Sequence, residues 1–503
     1  MKRKNKMKTL LIVAGLSSAL AVCQTTTNHI NVSQAVTLKE AHKGTLVSDT
    51  KLLDSYQPLP EKLRQFYLDS RFVFANNPTA NFTHPEIVKA AKKYNLPLMG
   101  GPMLGQLREE GVTVWLRPST SEPLTIKVEK VDSGEIKTYS KQFIEPGIEQ
   151  RIMIDDLAAG SQYHYGVYAN NNNVTNGEFT TAPLANKKGQ FRLTFGSDFH
   201  KIGLHNPNII NQILKRSPSA MLLLGDNAVD DRENNINMHR ADYTLRDVSK
   251  PWRTLTANVP VYVTWDDHDY FDNDLSGIPQ GFTAEDRDAV RAVWHQNWNN
   301  PEKQRKGVYF NTRIGPVEII MLDTRSYRAN ERRGKLGSYL GDKQFNWLKQ
   351  TLMDSTAAFK IIASGTMWSD DISQGKDSWG TWDIQARETL FNLIETENIP
   401  GVLLISGDRH GARGLTIPRA SGHKFYEFEV GTLGNVKGPR AMAKDPSNQL
   451  FGYIGKGTVA FGEFTFDTDK ASPSVTFRLI DELGNILEKH YLSYSQLIPS
   501  NTE

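Results

Sequence analysis

"VYVTWDDHDYFDND", residues 261–274, passes from four strand-forming positions into a stretch holding five aspartates and one histidine. A short apolar run of this kind predicts a buried strand, and the polar crowd behind it predicts the loop at the strand's carboxyl end. So many like charges repel one another unless cations neutralise them.

The same transition recurs through the central region. "FRLTF" (191–195) runs into Gly196-Ser197-Asp198-Phe199-His200, and "MLLL" (221–224) into Gly225-Asp226-Asn227. "EIIML" (318–322) leads to Asp323-Thr324-Arg325-Ser326-Tyr327-Arg328, "KIIAS" (360–364) to Gly365-Thr366-Met367-Trp368, and "VLLIS" (402–406) to Gly407-Asp408-Arg409-His410. Helical stretches such as "TAEDRDAVRAVWHQNW" (283–298), "DKQFNWLKQTLM" (342–353) and "IQARETLFNLIETE" (384–397) stand between them. The first opens with Thr283 and Asp286, a variant capping box. This alternation predicts an α/β domain, spanning about residues 190–495. In layered α/β proteins ligands bind beyond the carboxyl ends of the strands, so the polar clusters are expected to converge.

An aspartate after a strand is often only a turn former or helix cap. Capping does not require D-x-H, G-D, D-D-H-D and G-D-x-H at successive strand ends. Divalent cations do use such sets, because carboxylates and imidazoles together suit ions of intermediate hardness. No G-x-S-x-G elbow and no G-x-x-x-x-G-K-[ST] loop occurs, so serine-hydrolase and P-loop chemistry lack their central parts.

The 503 residues allow two or three domains. Net charge is +3 and the basic residues are scattered, so no specific nucleic-acid binding is expected. Residues 1–23 carry a basic head and an apolar run of signal-peptide length, which predicts export to the periplasm or cell envelope. Cleavage after Ala21 and lipid modification at Cys23 both fit, and a lipid on Cys23 is the sole membrane contact expected. Cys23 is the only cysteine, which excludes an intramolecular disulfide. Residues 24–97 predict two short helices, at "EKLRQFYLDSRF" and "HPEIVKAAKKYN", and no chemistry. Residues 98–185 alternate with period two between Gly, Pro and Asn turns, which predicts an antiparallel β-sandwich. Within it "LAAGSQYHYGV" is similar to the corner of fibronectin type III domains, with Leu157 in the core and Tyr163 bonding to backbone.

Taken in order, "SDFH", "LLLGDN", "TWDDHDY", "LDTRSYR" and "SGDRHG" resemble the calcineurin-like metallophosphoesterases, in particular the PhoD-like alkaline phosphatases, over roughly residues 98–490. The resemblance implies a four-layer αββα fold behind an immunoglobulin- or fibronectin III-like sandwich. It also implies two divalent metal ions and hydrolysis of small phosphate esters, monoesters or diesters. By that resemblance Asp198, His200, Asp226 and His410 match the first metal site, with Asp226 bridging to a second that includes Asp267 and Asp408. His268 matches the histidine assisting the leaving group, held by Asp269. Arg325, Arg328, Arg409 and Asn227 would bind substrate. Val229 stands where iron-containing relatives carry a tyrosine, and "GTMW" lacks a histidine that other members offer the second metal. Among Ca, Mn, Mg, Zn and Fe, the carboxylate-rich second site favours Ca, Mn or Mg. The competing class is a surface binding protein stabilised by Ca, for which the three imidazoles are poorly suited.

Overall fold

A computed structural model of the chain describes residues 36–301, 306–373, 375–469 and 472–499. The export signal and Cys23 lie outside the described residues.

Two large sheets form the body. One has six strands, with Val261–Thr264, Ala220–Leu224 and Gln190–Gly196 parallel, followed by the antiparallel strands Ala460–Asp467, Ser474–Asp481 and Ile486–Ser493. The other has seven strands around a parallel centre of Val317–Met321, Phe359–Ala363, Val402–Ser406 and Lys424–Val430. Their inner faces share one core, in which Leu193, Leu222, Phe464 and Phe477 meet Ile319, Ile361, Leu403 and Phe428. The outer face of the six-stranded sheet packs through Met221, Leu223, Val261 and Val263 against helices that include Ile236–Val248 and Lys250–Asn258. The opposite outer face packs through Ile320, Ile362 and Leu404 against Gly341–Asp354 and Trp379–Thr396. Parallel strands covered on both faces are mostly apolar along their length, which is why they read as runs and not as alternations.

The helix Ala284–Asn297 begins at the expected capping box, with Thr283 and Asp286 satisfying each other's backbone N–H groups. Residues 98–180 form two antiparallel sheets, of three and four strands. At the corner between them Tyr163 Oη accepts the N–H of Ala158 at 2.9 Å and Leu157 is buried. Both sheets share the core of the main body, and Arg151 donates to the carbonyls of His295 and Trp298.

Residues 36–97 are folded against the body. Helices Glu61–Asn76 and Pro85–Lys93 lie where the two short helices were expected. Phe66, Tyr67 and Phe74 join the core beneath Ile236–Val248. Asp49 fixes the segment electrostatically: one oxygen receives Lys201 Nζ at 3.0 Å, and the other receives Arg71 Nε at 2.9 Å and Tyr67 Oη at 3.0 Å, all buried.

Candidate metal centre

The parallel strands all end at one rim, and the loops there bring the expected residues together. Asp198, His200, Asp226 and His410 each direct one ligand atom into a common space, all within 4.8 Å of one another. Each of the four sits on backbone with positive φ, at 60°, 43°, 54° and 39° respectively. Left-handed backbone is costly for residues with a Cβ, and its concentration here marks loops shaped for placing side chains. The packing beneath leaves no slack. A Cβ at Gly225 would lie 2.5 Å from that of Asp266, and one at Gly431 would lie 2.6 Å from Asp198 Oδ2.

The hydrogen bonds decide which atoms face the space. His200 Nδ1 pairs with Asp230 Oδ1 at 2.9 Å and His410 Nδ1 with the Lys437 carbonyl at 3.1 Å, so each ring presents Nε2. Metal-binding histidines are held in this manner, with the second nitrogen committed to an acceptor. Asp226 Oδ1 and His200 Nε2 are buried without a hydrogen-bond partner, while Asp198 Oδ1 faces His410 Nε2 at 3.1 Å. Unpaired buried groups cost about 1–3 kcal/mol each, and a divalent cation removes that cost for all of them. The residues therefore fit a metal ion.

A second set adjoins the first. Asp226 also groups with Asp267 and His268, and Asp267 with Asp266 and Asp408. Asp267 Oδ2 accepts the N–H of Asp274 at 2.7 Å, while its Oδ1 and Asp408 Oδ2 have no hydrogen-bond partner. Burial pushes the Asp226 carboxyl well above the carboxylate range, and the neighbouring Asp267, Asp266 and Asp198 push it further. Burial, with Asp266 and Asp377 nearby, raises Asp408 in the same direction. Burial works against a charged His268, but Asp267, Asp226 and Asp231 outweigh it and hold the imidazolium well above its ordinary pKa. Cations bound by those carboxylates offset part of this bias.

Three expectations need correction. Asp269 does not hold His268. Its carboxylate accepts the N–H groups of Asn227 at 3.1 Å and Ala228 at 3.4 Å, bracing the loop that carries Asp226. The partner of His268 is Asp231, whose Oδ1 lies 2.5 Å from Nδ1. Arg328 is not available to substrate, because its donors go to the Thr324 carbonyl, Asp377 and Tyr339. Arg325 is fully buried and bidentate on Asp266, at 2.5 and 2.8 Å, with Asp377 Oδ2 at 2.9 Å; only Nη1 lacks a partner. It neutralises the acidic stretch at 266–267 from within the protein. We therefore expect Arg325→Lys, which loses the paired fork, to lower unfolding stability by about 3 kcal/mol. Denaturant unfolding checks this, and a variant of unchanged stability with raised KM would restore the phosphate-binding role.

Arg409 and Asn227 keep side-chain polar atoms that are not committed to other residues. The Arg409 side chain is 16% exposed, with Asp408 at 3.7 Å as its nearest carboxylate. Neither amide atom of the buried Asn227 has a partner.

Sequence reasoning missed His42, Asp230 and Asp231. The two aspartates follow Asp226 by four and five residues, "GDNAVDD", and their place in the same strand-end loop was the available signal. His42 lies in the helix Leu38–Lys43, far from every motif in sequence. Its Nδ1 is 3.1 Å from Asp231 Oδ2 and its ring centroid 4.4 Å from that of His268. Burial pushes its pKa down to about 4, leaving a neutral ring at pH 7.

Two facing sheets under a rim of Asp and His side chains are similar in fold to solved structures. The structure of PhoD superposes with a TM-score of 0.64 at 18% identity, covering 79% of this chain and 89% of that one. The purple acid phosphatase PPD1 from yellow lupin gives 0.54 at 14% identity, covering 79% and 75%. Residues 216–458 match the PhoD-like phosphatase family model. Alkaline phosphatase D of Bacillus subtilis (strain 168) is 28% identical over 408 residues, an alignment covering 68% of this chain and 65% of that protein's length. Asp198 and His200 precede the matched segment and join it only in three dimensions.

Proposed function

We propose that this protein is an exported, metal-dependent phosphoester hydrolase acting on small phosphate monoesters, diesters or both. The observation that carries the reading is that Asp226 belongs to two adjoining groups, one with Asp198, His200 and His410 and one with Asp267 and His268, and that Asp267 in turn groups with Asp408. Asp198, His200, Asp226 and His410 would hold one divalent ion, and Asp226, Asp267 and Asp408 the other. Such ions, when bound, neutralise the phosphate and lower the pKa of a water nucleophile. Their identity is proposed as Ca, Mn or Mg at the second set, where all three donors are carboxylates. His268, backed by Asp231, donates a proton to the departing alkoxide. Arg409 and the free amide of Asn227 would meet phosphate oxygens, through charge and hydrogen bonding respectively.

The domain reading assigns 1–23 to export, 24–97 to an N-terminal segment of which residues 36–97 pack on the catalytic body, 98–185 to a fibronectin III-like sandwich and 190–495 to the catalytic domain. The Tyr163 corner and the paired antiparallel sheets support the sandwich. Export to the periplasm or cell envelope, with a lipid on Cys23 as an alternative to a soluble form, rests on the composition of residues 1–23.

Chelation provides the direct test. Removing divalent ions is expected to abolish hydrolysis of both bis-nitrophenyl phosphate and nitrophenyl phosphate, and re-addition of Mn or Ca to restore it. Full activity in a protein shown to be metal-free by mass spectrometry would sink the proposal. Comparing the two substrates also separates diester from monoester preference.

A further inference from the structure

His268 is held from one side by Asp231, and Asp231 is itself held from the other by His42. Asp231 Oδ1 pairs with His268 Nδ1 at 2.5 Å, and His42 Nδ1 stands 3.1 Å from its Oδ2 as a close polar contact, so a single carboxylate lies between two imidazoles. A carboxylate with one hydrogen bond can rotate about its Cβ–Cγ bond, whereas a ring standing against its second oxygen restricts that rotation. The His42 ring also lies against His268, with 4.4 Å between centroids and 33° between planes, which limits the rotamers His268 can reach.

The helix bearing His42 is itself built into the same loop. Arg232, next to Asp231, donates to the His42 carbonyl at 2.7 Å and reaches the Ala41 carbonyl at 3.4 Å, satisfying acceptors at the end of Leu38–Lys43. Gly44 ends that helix with φ of 55°, and a Cβ there would lie 2.2 Å from the Arg232 guanidinium. Thr37 and Glu40 close a capping box at the other end. A short helix is not stable alone, so this degree of fixation by the site loop is what places His42.

We propose that His42 is a positioning residue of the catalytic centre, which makes the segment before the sandwich a part of the active site. By standing against Asp231 and covering His268, it keeps the proton donor aimed at the leaving group. The inference rests on the proposed role of His268 as proton donor, and it concerns the proton-transfer step, not metal binding. Partners one shell removed from a reacting group commonly contribute about 10–100-fold.

The test uses full-length, metal-loaded protein and compares an alkyl phosphate with a nitrophenyl phosphate. Wild type must hydrolyse both, and His268→Ala must slow the alkyl substrate selectively; failure of either defeats the parent reading and not this one alone. With those in hand, His42→Leu is expected to lower kcat on the alkyl substrate about tenfold, to leave the nitrophenyl substrate within about twofold, and to keep the wild-type metal content. Asparagine sets its amide nitrogen near the position of Nδ1, and glutamine sets it near Nε2. His42→Asn should therefore recover most of the alkyl rate and His42→Gln should not, a comparison that stands even if the Leu variant folds poorly. Equal loss on both substrates, loss of metal, no loss at all, or Gln matching Asn would overturn the proposal.

Discussion

Asp226→Ala is expected to strip the protein of bound divalent ions and to abolish hydrolysis, by about a thousandfold or more, because the one carboxylate serves both ligand sets. Its expected effect on stability has the opposite sign in the metal-free protein. Burial and three neighbouring aspartates hold the Asp226 pKa well above the ordinary carboxylate value. A carboxyl whose folded pKa is raised costs stability once pH exceeds its unfolded value, so at pH 7 its removal relieves a penalty. Metal-free Asp226→Ala should therefore melt no lower than metal-free wild type. Adding Mn should raise the Tm of wild type and leave that of the variant nearly unchanged, since a ligand stabilises only the state that binds it. Scanning calorimetry with and without Mn, beside metal analysis by mass spectrometry, reads both effects. A variant that retained two ions per chain at near wild-type rate would remove Asp226 from the centre.

The strand-end pattern made the first ligand set legible because parallel strands must end at one rim, and residues that follow such strands share that rim whatever their separation in sequence. What it could not supply was direction. Asp323 follows a strand as Asp226 does, yet its oxygens accept the N–H groups of Arg325 and Ser326 and the indole of Trp265, the ordinary work of a turn aspartate. Asp269 and Asp231 are likewise both close to a site residue in sequence, and only the backbone geometry shows that Asp231 reaches His268 while Asp269 turns to the Asp226 loop. The arginines of "LDTRSYR" were read as substrate donors. Buried guanidinium groups bind carboxylate and phosphate with the same fork, so composition alone does not distinguish the two, and here Asp266 and Asp377 take those donors. His42 had no local signal at all: it belongs to a six-residue helix whose position depends on Arg232 and Asp231.

These contacts alter what the histidine of "DDHD" should do when its neighbours are changed. A general acid matters most when the leaving group is a poor one, because an anion that is already stable needs little protonation in the transition state. His268→Ala is therefore expected to slow alkyl phosphates by about a hundredfold or more while largely sparing nitrophenyl phosphates. Asp231→Asn should show the same selectivity in weaker form, since an amide can still meet Nδ1 but no longer favours the imidazolium that Asp231 supports. Asp269→Asn should behave differently. It weakens the bonds to the Asn227 and Ala228 N–H groups, shifting the loop that carries Asp226, and so should slow both substrates together. Steady-state kinetics on matched alkyl and nitrophenyl phosphates, with metal content measured for each variant, separates the three. If His268→Ala lost metal, or slowed both substrates alike, His268 would be a ligand or a phosphate binder, as its grouping with Asp226 and Asp267 permits. In that event Asp231 and His42 would be buttressing a metal site, and the proton for the leaving group would have to come from solvent.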